Sequence, residues 1–399
     1  MHCKAITVLI GVSLSIGCGQ SPEPASPPAS LEGSLQRLVD AAVADNPEIP
    51  GAALHVDSPG IGLDWEGAAG DAEPEIHAPM SPARPVRIAS NTKTFIAAAV
   101  LRLAEEGRLD IDDPIAEHLP ASFVELLRGD GYDPEAITIR HLLTHTSGLF
   151  DHSSGTEYEE AILADPMHRW TREEQLRAAV EWGDPHAAPG EVYTYCDTGY
   201  VLLGEIVERA SGKPMAEAVR EMIGYRKLGM NSTWWESLEP APDGVPWRAH
   251  QFLGDLDTFS FDPSFDLYGG GGIVATVGDL ARFWRALFTG GVFSDLETLG
   301  TMLSTIDGVR GLPEDGPGAL PPGAYRMGVW VVEVDGLTTY RHTGFWGTSA
   351  SFVPQLDLVV TATVDQHQAR AALGELVDGA IAAVADAEAA AESAEEDRP

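Results

Sequence analysis

Strand-forming runs lie near the two ends of this chain, and helical signals fill the span between them. "GAALHVD" (51–57) and "IGLDWEGAAG" (61–70) are separated only by "SPG", which reads as a β-hairpin. Comparable runs return late, at "RMGVWVVEVDG" (326–336), "TTYRHTG" (338–344) and "SASFVPQLDLVVTATVD" (349–365). Hairpin spacing implies antiparallel pairing. A sheet fed by both chain ends turns the long middle into an insertion. The expected fold class is therefore α+β: an antiparallel sheet built from both chain ends and flanked by helices, with a largely helical insert at about 111–265. The flanking helices are readable. In 31–46, Leu31, Leu35, Leu38, Val39 and Ala42 share one face. An Ala-rich helix at about 369–390 runs into an acidic tail (386–399), whose end, "AESAEEDRP", reads as frayed. One domain, 32–385, is expected between the termini.

The N-terminus reads differently. A charged start, Met1–Lys4, precedes "AITVLIGVSLSI" (5–16), which is too short to span a bilayer comfortably. Cys18 follows small residues. The pattern resembles a bacterial lipoprotein signal, which implies lipidation of Cys18, although Ser15 stands where leucine is usual. An ordinary cleaved signal peptide with an incidental cysteine is the alternative. Residues 19–31 read as a flexible Pro-rich linker. The expected location is across the inner membrane, in the periplasm or cell envelope, with membrane contact only through the N-terminal lipid. With Cys3 and Cys18 in the signal segment, Cys196 stands alone in the folded part, so an internal disulfide is excluded. The formal net charge of -36 argues against a nucleic-acid partner, because phosphate repels such a surface.

Lysine is scarce, occurring only at Lys4, Lys93, Lys213 and Lys227. Lys93 sits in "IASNTKTF" (88–95), at the start of the apolar run "TFIAAAVLRLAEE" that Gly107 ends. That run is apolar nearly all round, as in a helix buried inside a domain. Ser90 would be its N-cap or first-turn residue, and Lys93 lies one turn on, on the same face. A cation is disfavoured at a helix start unless something uses it. Desolvation and the helix dipole would push its pKa down, toward a proton acceptor for Ser90. The helix N-terminus also offers a backbone N–H to an oxyanion.

Two further stretches extend the pattern. "EVYTYCDTGYVLLGEIVERASG" (191–212) puts Tyr195 just before a helix, and "RHTGFWGTSASF" (341–352) puts His342-Thr343-Gly344 on a late strand. With S-x-x-K at 90–93, the chain resembles the serine β-lactamase and D-alanyl-D-alanine carboxypeptidase family, in the class C-like branch that includes esterases. "AEEGRLDIDDPIAEHLP" (104–120), "ITIRHLLTHTSGL" (137–149) and "GGGGIVATVGDLARFWRAL" (269–287) are similar to family framework. The resemblance implies Ser90 as the acylated nucleophile and Lys93 and Tyr195 as its proton-transfer partners. It implies His342 as a residue that helps hold the site's charge. Thr343 and Gly344 would line the strand flanking the substrate, and Phe345 would give the second oxyanion N–H. Asp197 departs from the family's Tyr-x-Asn: an ionised carboxylate cannot donate to a substrate amide. That moves weight toward esters or simpler amides, and Asp197 would pair with Lys93 and position it.

The expected activity is hydrolysis of a small-molecule or peptide ester or amide through an acyl-serine, with no cofactor and no metal. Alternatives are D-alanyl-D-alanine carboxypeptidase or β-lactamase action, or a binding lipoprotein that acts as a sensor without turnover. His141 and His145 have the spacing of a zinc pair but lack the H-E-x-x-H glutamate, so framework is the reading. Cys196 has no adjacent base and reads as an inert thiol. "YGGGGI" (268–273) lacks the Lys-Ser/Thr of a phosphate loop and reads as a backbone turn near the site. Phe345 and Trp346 are candidates to wall the pocket, and His152, His168 and His186 carry no spacing signal.

Overall fold

The structure is a computed structural model that describes residues 30–305, 308–311 and 324–396. Cys18 and all but the end of the Pro-rich stretch lie outside the described residues. The first helix, α1 (Leu31–Ala44), starts at Ser30, whose side chain accepts the Gly33 N–H. Strands β1 (Gly51–Ser58) and β2 (Leu63–Glu73) form the early hairpin, followed by the short β3 (Ala78–Pro79). The buried helix is α2 (Thr92–Glu105), which ends just before Gly107 at φ 65. The insert supplies α3 (Asp197–Ser211), and the chain returns through α4 (Val277–Phe288). Four late strands follow: β4 (Trp330–Val334), β5 (Leu337–Gly344), β6 (Thr348–Val353) and β7 (Leu358–Thr363). The last helix is α5 (Arg370–Glu396).

The strands make one seven-stranded sheet in the order β4-β5-β6-β7-β1-β2-β3. The two chain ends meet at the antiparallel β1–β7 pair, with Leu54 opposite Ala362 and Val56 opposite Val360. Side-chain alternation sorts the strands into two cores. Leu54, Val56, Val360 and Ala362 face α1 and α5, where Leu35, Val39, Val377 and Ile381 cover them. Ala53, Val359, Ala350 and Phe352 face the other way, into the large core of α2, α3 and α4. There α2 is buried on every side, and Phe95 stacks on Phe283 with ring centroids 3.6 Å apart. Among the described residues no helix is long and apolar enough to cross a membrane.

Two expectations change. The run 349–365 is two strands, divided by a 3-10 turn at Pro354–Leu356. Proline at the first position of that turn withholds a ladder N–H and ends β6. The segment "AESAEE" is helical rather than frayed, because α5 continues to Glu396. Alanine and glutamate are strong helix formers, so the helix outruns the surface it covers.

Candidate active site

Ser90 lies in a 3-10 turn, Ala89–Asn91, that leads into α2; it is not the helix cap itself. The turn is strained and braced. Ala89 takes φ 45, a left-handed conformation that costs an L-residue about 1–2 kcal/mol. Asn91 Nδ2 donates to the Ile88 carbonyl (3.2 Å) and to Thr348 Oγ1 (3.0 Å), and Thr348 Oγ1 donates to the same carbonyl (3.1 Å). The start of α2 is thus tied to the β5–β6 hairpin. Gly344 makes this approach possible: a Cβ there would lie 2.3 Å from both Ile88 O and Thr348 Oγ1. Gly344→Ala is expected to cost about 1–3 kcal/mol by overpacking and to displace Ser90. A melt and a kcat/KM both equal to wild type would show that the approach tolerates a methyl group.

Lys93 is fully buried, yet its ammonium has two hydrogen-bond acceptors and a carboxylate around it. Nζ lies 3.0 Å from Ser90 Oγ, 2.8 Å from the Gly270 carbonyl and 2.5 Å from Asp197 Oδ1. The glycine run therefore does come to the site as a backbone turn. Ile88 N–H donates to Ile273 O at its far end (3.0 Å). Burial alone would lower the Lys93 pKa, as the sequence leads one to expect. The Asp197 carboxylate and the Tyr195 phenol outweigh it and hold the ammonium above the ordinary lysine range. The expected depression is thus reversed: at neutral pH Lys93 is a cation paired with Asp197.

Tyr195 covers this pair. Lys93 Nζ is 4.9 Å from its ring centroid. Burial pushes the Tyr195 phenol up to about 12, against the opposing pull of Lys93. Asp197 is the first residue of α3, where the helix dipole favours a carboxylate. Its Oδ2 accepts from Ser153 Oγ (3.1 Å), and its N–H donates to Asp151 Oδ1 (3.1 Å). Asp151 is itself buried, and burial with the neighbouring Asp197 pushes it up to about 7.

Strand β5 passes beside the serine turn and splits the third motif between its two faces. Thr343 is exposed, Gly344 is buried against Ile88, and Phe345 just past the strand is 39% exposed. His342 points into the protein. The Thr343 carbonyl can only accept, so His342 Nδ1 carries the proton (2.9 Å), and Nε2 accepts from the Tyr325 hydroxyl (3.2 Å). Burial, aided by Lys93, pushes His342 down to about 3. The neutral imidazole is therefore the favoured form here, bonded to the Thr343 carbonyl and the Tyr325 hydroxyl. Phe345 stacks on His367 at 3.7 Å, whereas Trp346 is buried and belongs to the interior. Among the described residues, neither the Ser90 nor the Phe345 N–H has a protein acceptor.

Several neighbours carry no sequence signal. Asp151 and Ser153 support Asp197 from a loop, and His152 Nδ1 meets Thr198 Oγ1 at 2.9 Å in the first turn of α3. Tyr325 meets Tyr200 at 3.5 Å, and Tyr200 donates to the Leu143 carbonyl at 2.9 Å. The two histidines with zinc-like spacing face different partners: His141 Nδ1 accepts from Thr138 N–H (3.1 Å), and His145 Nδ1 from Cys196 N–H (3.0 Å). The Cys196 thiol is buried, and burial pushes its pKa well up, away from thiolate reactivity.

Comparison with known proteins identifies relatives of the chain as a whole. The chain is 35% identical over 228 residues to the esterase EstB of Burkholderia gladioli, covering 56% of each chain. It is 28% identical over 200 residues to the D-alanyl-D-alanine-carboxypeptidase/endopeptidase AmpH of Escherichia coli K12, covering 50% of this chain and 48% of that one. The matches span about half the length of these curated relatives. A D-stereospecific amidohydrolase from Streptomyces superposes with a TM-score of 0.70 at 25% identity, over 87% of this chain and 98% of that one. Residues 35–382 match the family described as Beta-lactamase, and the chain belongs to that family.

Proposed function

We propose that the protein is a serine hydrolase that cleaves carboxylic esters or simple amides through a covalent acyl-Ser90 intermediate. The observation that carries this is the contact of Ser90 Oγ with the buried Lys93 ammonium, 3.0 Å away and roofed by Tyr195. Ser90 Oγ adds to the substrate carbonyl, and its proton passes to the Lys93/Tyr195 unit. The Ser90 and Phe345 N–H groups receive the developing oxyanion. The leaving group departs with a proton from the same unit, and water then hydrolyses the acyl ester. The strand that carries Thr343 and Gly344 flanks the substrate. Names of relatives that include an esterase and an amidohydrolase support the reaction class.

In this reading Asp197 keeps Lys93 charged and oriented, so the proton acceptor is the Lys93/Tyr195 pair as a unit. The rate therefore rises with pH as the pair loses a proton. Asp197 raises the pKa of both partners. Asp197→Asn removes that influence, so the rising limb of the pH–rate profile should move to lower pH. The same change supplies an N–H donor and should raise activity on cephalosporins or D-Ala-D-Ala peptides relative to esters. A limb that stays in place or moves up would contradict the role given to Asp197.

The reading is tested by a panel of p-nitrophenyl butyrate, a chromogenic cephalosporin and a D-Ala-D-Ala peptide. Multiple turnovers on the ester are expected; one stoichiometric reaction without turnover would favour a sensor. On this reading the domain works outside the inner membrane, held by lipid on Cys18 and the 19–31 linker.

A further inference from the structure

We propose that His145 is a positioning residue that clamps Tyr195 in place by holding the backbone on both sides of it and the ring between. The proposal rests on Tyr195 being half of the proton-transfer unit.

Three contacts converge from one residue. The His145 carbonyl accepts the Thr194 N–H at 2.9 Å. Its Nδ1 accepts the Cys196 N–H at 3.0 Å. Its ring lies against the Tyr195 ring, centroids 4.3 Å apart and planes 36° apart. Residues 194–196 need such a clamp. The strand before them is only Val192–Tyr193, paired with Arg310–Gly311, and α3 begins after them at Asp197.

The clamp requires a neutral imidazole with the proton on Nε2, because Nδ1 is an acceptor. The surroundings enforce that state. Tyr325 and Tyr200 face the ring at 4.5 and 5.0 Å, and burial together with the charge of Lys93 disfavours a second cation, outweighing the opposite pull of Asp197. The residue is also an unfavourable choice for stability alone. It is 1% exposed, its Nε2 has no acceptor among the described residues, and its backbone is left-handed at φ 57. An apolar residue would remove the first disadvantage and glycine the second. Neither would supply an acceptor for Cys196 together with a face for Tyr195. Unfavourable backbone and polar burial retained beside a reacting group point to function.

The test uses the full chain with His145→Ala and His145→Asn. Asparagine tolerates the left-handed backbone, and its Oδ1 can take the place of Nδ1. With p-nitrophenyl butyrate, His145→Ala should lower kcat about a hundredfold, the scale of a misplaced group, with KM nearly unchanged. His145→Asn, which restores the acceptor without the ring, should recover part of that kcat and keep the wild-type pH profile. Hydrogen exchange of the 191–199 segment, which needs no substrate, should rise in the alanine variant and return in the asparagine variant. A folded alanine variant with wild-type kcat and wild-type amide protection would overturn the proposal. If the alanine variant does not fold, the asparagine variant carries the test, and loss of either its amide protection or its pH profile overturns the clamp. If the wild type fails to turn over the ester, or Ser90→Ala still does so, the functional reading fails instead, and the exchange measurement still decides the clamp.

Discussion

Ser90→Ala should reduce ester turnover to background while leaving the fold in place. Where a serine oxygen is the reacting atom, its removal costs on the order of a millionfold in kcat. The structural cost should be small. Ser90 sits in a 3-10 turn before α2, and the helix N-cap, Asn91, makes no side-chain capping bond. Its hydroxyl accepts one hydrogen from Lys93, which keeps Gly270 O and Asp197 as partners when the oxygen is gone. The bracing of the turn by Asn91 and Thr348 does not pass through the Ser90 side chain. Circular dichroism and a thermal melt close to wild type, together with lost activity, are the expected pair of results. An unfolded variant would mean that the hydroxyl has a structural role that the geometry does not give it.

Lys93→Arg should fail almost as completely, although it preserves the charge. The site is built around a compact ammonium: three oxygens surround Nζ at 2.5–3.0 Å, and the side chain has no exposure into which a longer one could extend. A planar guanidinium cannot meet that arrangement, and it does not give up a proton in a protein. Loss of a positioned acid–base group costs roughly a hundredfold to ten-thousandfold. The variant retains a cation beside Asp197, so the comparison separates proton transfer from charge balance. A folded Lys93→Arg enzyme with near-wild-type kcat would reduce Lys93 to a structural counter-ion.

What the sequence makes legible here is what depends on near neighbours. Alternation and hairpin spacing mark the strands, and the all-round apolar run marks α2, so a sheet drawn from both chain ends follows without coordinates. The S-x-x-K spacing likewise brings Ser90 and Lys93 to one face. The direction of the Lys93 pKa is another matter. Sequence neighbours supply only desolvation and a helix start, both of which lower it. The groups that reverse the balance, Asp197 and Tyr195, come from within the insert, about a hundred positions along the chain. His342 shows the same limit at shorter range. Strand alternation dictates that His342 and Thr343 face opposite ways, but the inward partner of His342, Tyr325, lies outside the strand. His145 looks like framework in "LLTHTSGL" because its partners, Thr194 and Cys196, are about fifty positions away.

The central claim is that chemistry passes through a covalent bond to Ser90 Oγ. It is tested most directly by trapping the enzyme with a slowly released ester or a fluorophosphonate, then measuring intact mass and mapping the modified peptide. One adduct per chain is predicted, on the peptide containing residues 88–93 and at Ser90, absent from Ser90→Ala and, for the ester, lost at the rate of steady-state turnover. Turnover with no adduct at Ser90, or with the adduct on another residue such as Cys196, would contradict the account.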